Sequence, residues 1–178
     1  MALKATIFKA ELQVSDMDRS HYASYHLTLA RHPSETDQRM LVRLIAFALN
    51  ADELLTFTKG ISSDDEPDLW QKSLSDEIEL WIELGQPDEK RIRRACGRAR
   101  KVVVYPFAAR SAGIWWEQIR HELSRFGNLN VTMLSLPNGP ELEGLVQRNM
   151  HLHATIQEGQ VWLGDEKQTA LVDLQEWQ

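Results

Sequence analysis

Residues 68–84, DLWQKSLSDEIELWIEL, constrain this chain more than any other segment. Two runs rich in Trp, Ile and Leu flank a short polar stretch, which is the pattern of a β-hairpin. Folding the run about Ser75-Asp76 sets Trp70 opposite Trp81, Lys72 opposite Glu79 and Asp68 opposite Glu83. The first two pairs attract, aromatic with aromatic and cation with anion. The third sets two carboxylates on adjacent strands, where like charges repel. Such a pairing needs a reason, and a divalent metal is one. The plain alternative is two solvent-facing carboxylates near a sheet end.

The rest of the chain supplies a frame for that hairpin. Residues 4–14 alternate apolar Phe8, Ala10, Leu12 and Val14 with polar neighbours, a half-buried strand. A turn over Ser15 to Ser20 leads to a second strand, HYASYHLTLAR (21–31), ended by Pro33. A helix capped by Ser34 follows, with Met40, Leu41, Leu44, Ile45 and Ala48 at helical spacing as far as Asn50. Leu54 to Thr58 is a short strand, broken by Lys59-Gly60, and ISSDDEP is an acidic loop before the hairpin.

After the hairpin, Gln86-Pro87-Asp88 has the chemistry of a helix entry. Ile92, Ala95, Cys96 and Ala99 form the apolar stripe of that helix. VVVYPF (102–107) reads as a strand buried on both faces, so residues 80–107 predict a parallel crossover. Ser111 is the expected cap of a third helix carrying Trp115, Ile119, Leu123 and Phe126 and closed by Gly127; VTMLSLP (131–137) is the next strand. Of the adjacent Trp115 and Trp116, one is expected in the core and one at its margin. NMHLHATI and QVWLG flank a two-residue turn at Glu158-Gly159, and TALVDLQ (169–175) adds a further strand. With the N-terminal hairpin these predict a second, antiparallel sheet.

The fold class expected is therefore α/β. A single domain over 1–178 has a core at 34–137 with the order α-β-β-β-α-β-α-β and additional β-rich segments at 1–33 and 138–178. A length of 178 residues suffices for one ample core, or at most two small lobes. Cys96 is the single cysteine, which excludes an internal disulfide and a cysteine zinc cage. No run approaches the ~18 apolar residues of a membrane span, and residues 1–14 lack the apolar stretch of a signal peptide. A reducing cytoplasmic location is the default expectation, with no membrane partner and an open oligomeric state.

Proline-aspartate at 67–68 and Glu83 on the adjacent strand resemble the PD-(D/E)xK nuclease superfamily. The α-β-β-β-α-β order resembles that superfamily's restriction endonuclease-like core. More narrowly, DEPDLWQKSLSDEIELWIELGQPDEKRIRRAC, the VVVYPF strand and the β-rich ends resemble the bacterial YaeQ family along essentially the whole chain. The superfamily resemblance implies that Asp68 and Glu83 hold Mg²⁺ or Mn²⁺ through oxygen ligands for attack on a phosphodiester. It also implies a lysine two residues after the acid, where this chain has Gly85; Gln86 is the group left to position water or phosphate. Lys59, Lys72 and Lys90 are other possible sources of a lysine, and Glu35 a possible third ligand. The competing expectation is a non-catalytic protein- or nucleic-acid-binding module on the same fold.

Two other signals stand apart from the acid pair. Seven cations occur within residues 90–101 of a chain whose net charge is −6. Arg91, Arg94 and Arg98 share one helical face and, with Lys90, are candidates for contact with nucleic-acid phosphates; pairing with the surplus acids is the plainer role. His151 and His153 alternate on a strand and so share a face, a spacing that suits a metal, with no third ligand evident in the sequence.

Overall fold

The computed structural model describes residues 4–59 and 64–178. Gly60 and the first part of the acidic loop, residues 61–63, lie outside the described residues. In chain order the elements begin β1 (Thr6–Asp16), β2 (His21–Arg31), α1 (Asp37–Leu49), β3 (Leu55–Phe57), β4 (Leu69–Lys72) and β5 (Ile78–Leu84). Then follow α2 (Glu89–Arg98), β6 (Ala99–Tyr105), α3 (Ala109–Leu123), β7 (Leu129–Ser135), β8 (Asn149–Gln157), β9 (Gln160–Gly164) and β10 (Thr169–Glu176). This is a mixed α/β fold, mostly sheet, with three α-helices among the described residues.

The chain forms two compact units, one of Met1–Ala51 with Leu136–Asp173 and one of Asp52–Ser135 with Leu174–Gln178. In the first unit β1 and β2 make an antiparallel hairpin, and β8, β9 and β10 make an antiparallel meander. Glu158 and Gly159 turn β8 into β9 with φ +49° and +77°, the two-residue turn expected there. The wholly antiparallel sheet expected from the chain ends is corrected at one seam: β1 runs parallel to β8. Short turns dictate the antiparallel sense of each hairpin. No short turn joins β1 to β8, so the connection does not impose the antiparallel sense there.

Helix α1 belongs to this first unit. Its stretch from Met40 to Ala48 is buried throughout, Arg43 included. Thr36 caps the helix, its side chain accepting from the Arg39 N–H at 3.1 Å. The expected cap, Ser34, instead bonds His32 in the preceding turn. Buried Arg43 is matched by buried Glu35 through Nε at 2.9 Å and Nη2 at 2.8 Å.

In the second unit β3, β4 and β5 form an antiparallel meander, and β5 continues through α2 into parallel β6. Strand β7 adds in parallel to β6, and the chain's last residues, Trp177 and Gln178, bond to Val131 of β7. The core here joins Trp81, Val102, Val104 and Val131 of the sheet to Ile92 and Ala95 of α2 and Ile119 and Leu123 of α3. Ala99 ends the apolar stripe of α2 but is already the first residue of β6. Helix α3 starts earlier than expected, at Ala109, without a side-chain cap, and stops at Leu123. Neither Trp115 nor Trp116 is fully buried; Trp115 donates to the Pro87 carbonyl at 2.9 Å and Trp116 stacks on Trp177.

The hairpin that frames the acid pair has the expected Trp70↔Trp81 register, the rings meeting edge to face at 6.1 Å. Its loop differs. The Ser73 N–H donates to the Glu77 carbonyl, the Asp76 N–H donates to Ser73, and Asp76 takes φ +67°. The loop therefore holds three residues, closed by a left-handed one, and not two. The extra residue shifts the register by one beyond Gln71, so Lys72 lies opposite Ile78 and not Glu79. Lys72 turns over the Trp70 ring at 4.1 Å, and Glu79 meets Arg100 at 3.5 Å.

Candidate functional site: a buried acid pair beneath an arginine helix

Asp68 and Glu83 are both buried, at 6 % and 4 % exposure. The regular pairs of β4 and β5 end at Leu69↔Ile82. Just beyond them the Asp68 N–H donates to the Ile82 carbonyl at 3.0 Å, and Asp68 Oδ2 accepts from the Leu84 N–H at 2.9 Å. The Asp68 side chain is thus held by the backbone of the strand that carries Glu83.

Glu83 is held by side chains. Two residues back on the same face, Trp81 Nε1 donates to Glu83 Oε1 at 2.8 Å. Arg91 Nε donates to the same oxygen at 2.8 Å. Arg91 lies in the first turns of α2, whose N-terminus Asp88 caps by accepting from the Arg91 N–H at 2.8 Å. The β5–α2 connection is short, so this first turn falls over the end of the strand it has just left.

These forces leave Glu83 with a raised pKa. Burial acts most strongly, by disfavouring the charged carboxylate; the Asp68 charge adds to it, while Arg91 and the Trp81 N–H oppose it. The Asp68 contribution shows that the two carboxylates feel each other. The Arg91 guanidinium sits against Glu83.

Gly85 stands where the nuclease pattern has lysine, and its backbone has left the strand conformation. It takes φ +91°, which L side chains rarely adopt, while its N–H is bonded to the Tyr105 carbonyl at 2.9 Å. Gln86 is exposed and donates to Ser111 Oγ at 2.7 Å, so α3 holds its amide. Glu35, the sequence's candidate third acid, is the partner of Arg43 in the other unit. Among the described residues no group of three or more His, Cys, Asp or Glu is arranged to hold a metal ion.

The arginine face of α2 meets the end of the acidic loop. Arg91 Nη2 donates to the Glu66 carbonyl at 2.8 Å, and Arg98 Nη1 donates to the Asp65 carbonyl at 2.9 Å. Arg94 approaches the Asp65 carboxylate at 4.0 Å, and Arg91 the Asp64 carboxylate at 3.8 Å. Arg98 also covers the Trp81 ring at 5.1 Å. Lys90 is exposed on the same helix. Sequence reasoning named Arg91 for a nucleic-acid contact and missed its bond to Glu83. The available signal was its place in the first turn after a very short connection.

Comparison with known proteins assigns the family. The model of the YaeQ protein family matches residues 1–174. The uncharacterized protein YaeQ of Escherichia coli K12 is 47% identical over 178 residues, covering 100% of this chain and 98% of its own length. The corresponding Salmonella typhi protein is 46% identical with the same coverage. The crystal structure of the YaeQ protein from Xanthomonas axonopodis pv. citri superposes with a TM-score of 0.92 at 44% identity over 98% of both chains. That of the YaeQ protein from Pseudomonas syringae gives 0.89 at 36% identity, over 98% of this chain and 96% of the other. The chain belongs to the YaeQ family.

Proposed function

We propose that this member of the YaeQ family is a nucleic-acid-binding module built on a compact PD-(D/E)xK-like core, and that its acid pair has a supporting role. The carrying observation is the face of α2 on which Arg91, Arg94 and Arg98 reach one peptide segment through its carbonyl and carboxylate oxygens. Guanidinium groups that fork onto successive backbone oxygens are suited to successive phosphates. Lys90, Arg93 and Arg94 add exposed positive charge. The β3–β4–β5–α2–β6 order matches the later part of the α-β-β-β-α-β order expected of that core, while α1, its first helix, belongs to the other compact unit. The positive φ at Gly85 and the guanidinium on Glu83 favour binding over cleavage.

On this reading residues 64–66 compete with nucleic acid for the arginines. Fluorescence anisotropy with labelled single-stranded DNA, duplex DNA and RNA tests it. Binding should weaken with salt, and replacing Lys90, Arg94 and Arg98 by alanine should flatten the log–log slope by about 2–3. Neutralising Asp64, Asp65 and Glu66 as the amides should strengthen binding. An unchanged slope in the triple variant overturns the proposal.

A second reading has its own support, the burial of two carboxylates close enough to feel each other's charge. Here Asp68 and Glu83 take Mg²⁺ or Mn²⁺ for work on a phosphodiester, with Gln86 near the reacting groups. The ion would have to displace Arg91 from Glu83, so the side-chain arrangement described does not itself fit it. Manganese titration of the wild type against Asp68→Ala and Glu83→Ala decides. Loss in both variants supports this reading, and equal binding by all three removes it.

A further inference from the structure

We propose that the open face of the β2–β1–β8 sheet is a site for a borderline divalent cation, zinc or nickel, with Glu11, His151 and His153 as ligands and His26 as a fourth. The residues of this site belong to the first unit, and the acid pair belongs to the second. Strand register carries the argument. Glu11 on β1 is paired with His26 of β2 on one side and with His151 of β8 on the other. His153 follows His151 on the same face of β8, beside Gln13 of β1. Three of the chain's six histidines therefore stand around one glutamate, although 140 positions separate Glu11 from His151 in the sequence.

The burial pattern sets all four side chains on the outer face. Phe8, Ala10, Leu12 and Val14 of β1 point into the core, as do Met150, Leu152 and Ala154 of β8. Their alternate neighbours, Glu11, His151 and His153, point outward. Paired residues on adjacent strands are ~5 Å apart, and residues two apart on one strand ~6.6 Å. Glu11, His151 and His153 at that spacing lean readily onto one ion held ~2 Å from each, and His26, two strands and so ~10 Å from His151, reaches it only at full extension. His151 Nδ1 is already 3.3 Å from Glu11 Oε2. A depression of about 250 Å³ is lined by Glu11, Gln13, His151 and His153 together with Asp165 and Glu166, while His26 lines a neighbouring one.

Chemistry selects the ion. Imidazole with one carboxylate suits zinc, nickel or copper, whereas magnesium and calcium prefer all-oxygen shells. In the side-chain conformations described, no three such groups converge on one point. The ion would gather exposed side chains by rotation about their χ angles, on strands whose backbone positions are already set.

Isothermal titration of the full chain with zinc chloride, repeated with nickel chloride, tests the site. The wild type should take up one equivalent. His151→Ala and His153→Ala should each weaken binding by about tenfold or more, and Glu11→Gln and His26→Asn should weaken it less. Asp68→Ala should bind as wild type does, which separates this site from the acid pair. These outward-facing positions leave the core intact, so metal-free thermal unfolding of the variants should match the wild type, and zinc should raise the midpoint of the wild type most. Absence of uptake by the wild type, or undiminished uptake by the His151→Ala/His153→Ala double variant, overturns the proposal.

Discussion

Arg91 Nε donates to Glu83 Oε1 at 2.8 Å, and that oxygen also accepts from Trp81 Nε1. A strand acid and the first turn of the next helix thus share one partly buried contact. A guanidinium from the chain itself thus sits against Glu83.

The raised pKa of Glu83 has a definite sign in stability. A carboxyl that holds its proton more tightly when folded destabilises the native state as pH rises from the ordinary value of 4.5 through the folded value. The stability of wild type minus that of Glu83→Gln should therefore fall across that range and level off above it. Urea unfolding at a series of pH values measures this difference. A difference that grows with pH would mean that Arg91 outweighs burial at this site.

Gly85 should resist restoration of the missing lysine. At φ +91° a side chain strains the backbone even though there is open space around it. Gly85→Lys should cost about 1–2 kcal/mol in chemical denaturation. It should also confer no cleavage of single-stranded, duplex or branched DNA with manganese, because residue 85 no longer continues the strand.

Glu35 should behave as a structural acid. Its partner Arg43 is 3% exposed, and both of its bonds to the Glu35 carboxylate are at 2.9 Å or less. Glu35→Ala leaves a buried guanidinium without its carboxylate and should cost about 3–5 kcal/mol by urea titration. Manganese binding, where the wild type shows any, should be unaltered by Glu35→Gln.

The start of α1 gives a sharper comparison. Thr36→Ala removes the side chain that accepts from Arg39 and should cost about 1 kcal/mol. Ser34→Ala should cost less, because its hydroxyl serves only an exposed turn. Thermal midpoints of the two variants rank the caps directly.

Much of this architecture can be read from local patterns. Alternation in residues 4–14 and 21–31, the helical stripe from Met40 to Ala48 and the Glu158-Gly159 turn each encode an element through contacts between near neighbours. The Trp70–Trp81 pairing was legible for the same reason. The Lys72–Glu79 pairing was not, because one left-handed residue, Asp76, lengthens the loop and shifts the register beyond it. The composition of the loop does not announce that choice.

By itself the sequence determined which segments are strands and helices, that two acids fall at the same end of a hairpin, and that cations crowd the helix after them. Only the tertiary structure decided which charges meet. Arg91 turns inward to Glu83, Arg43 closes on Glu35, and Glu11 stands between His26 and His151. Periodicity reports the face on which a side chain lies. The partner on that face is chosen by parallel pairing and helix crossovers between residues far apart in the chain, where burial makes each unmatched charge costly.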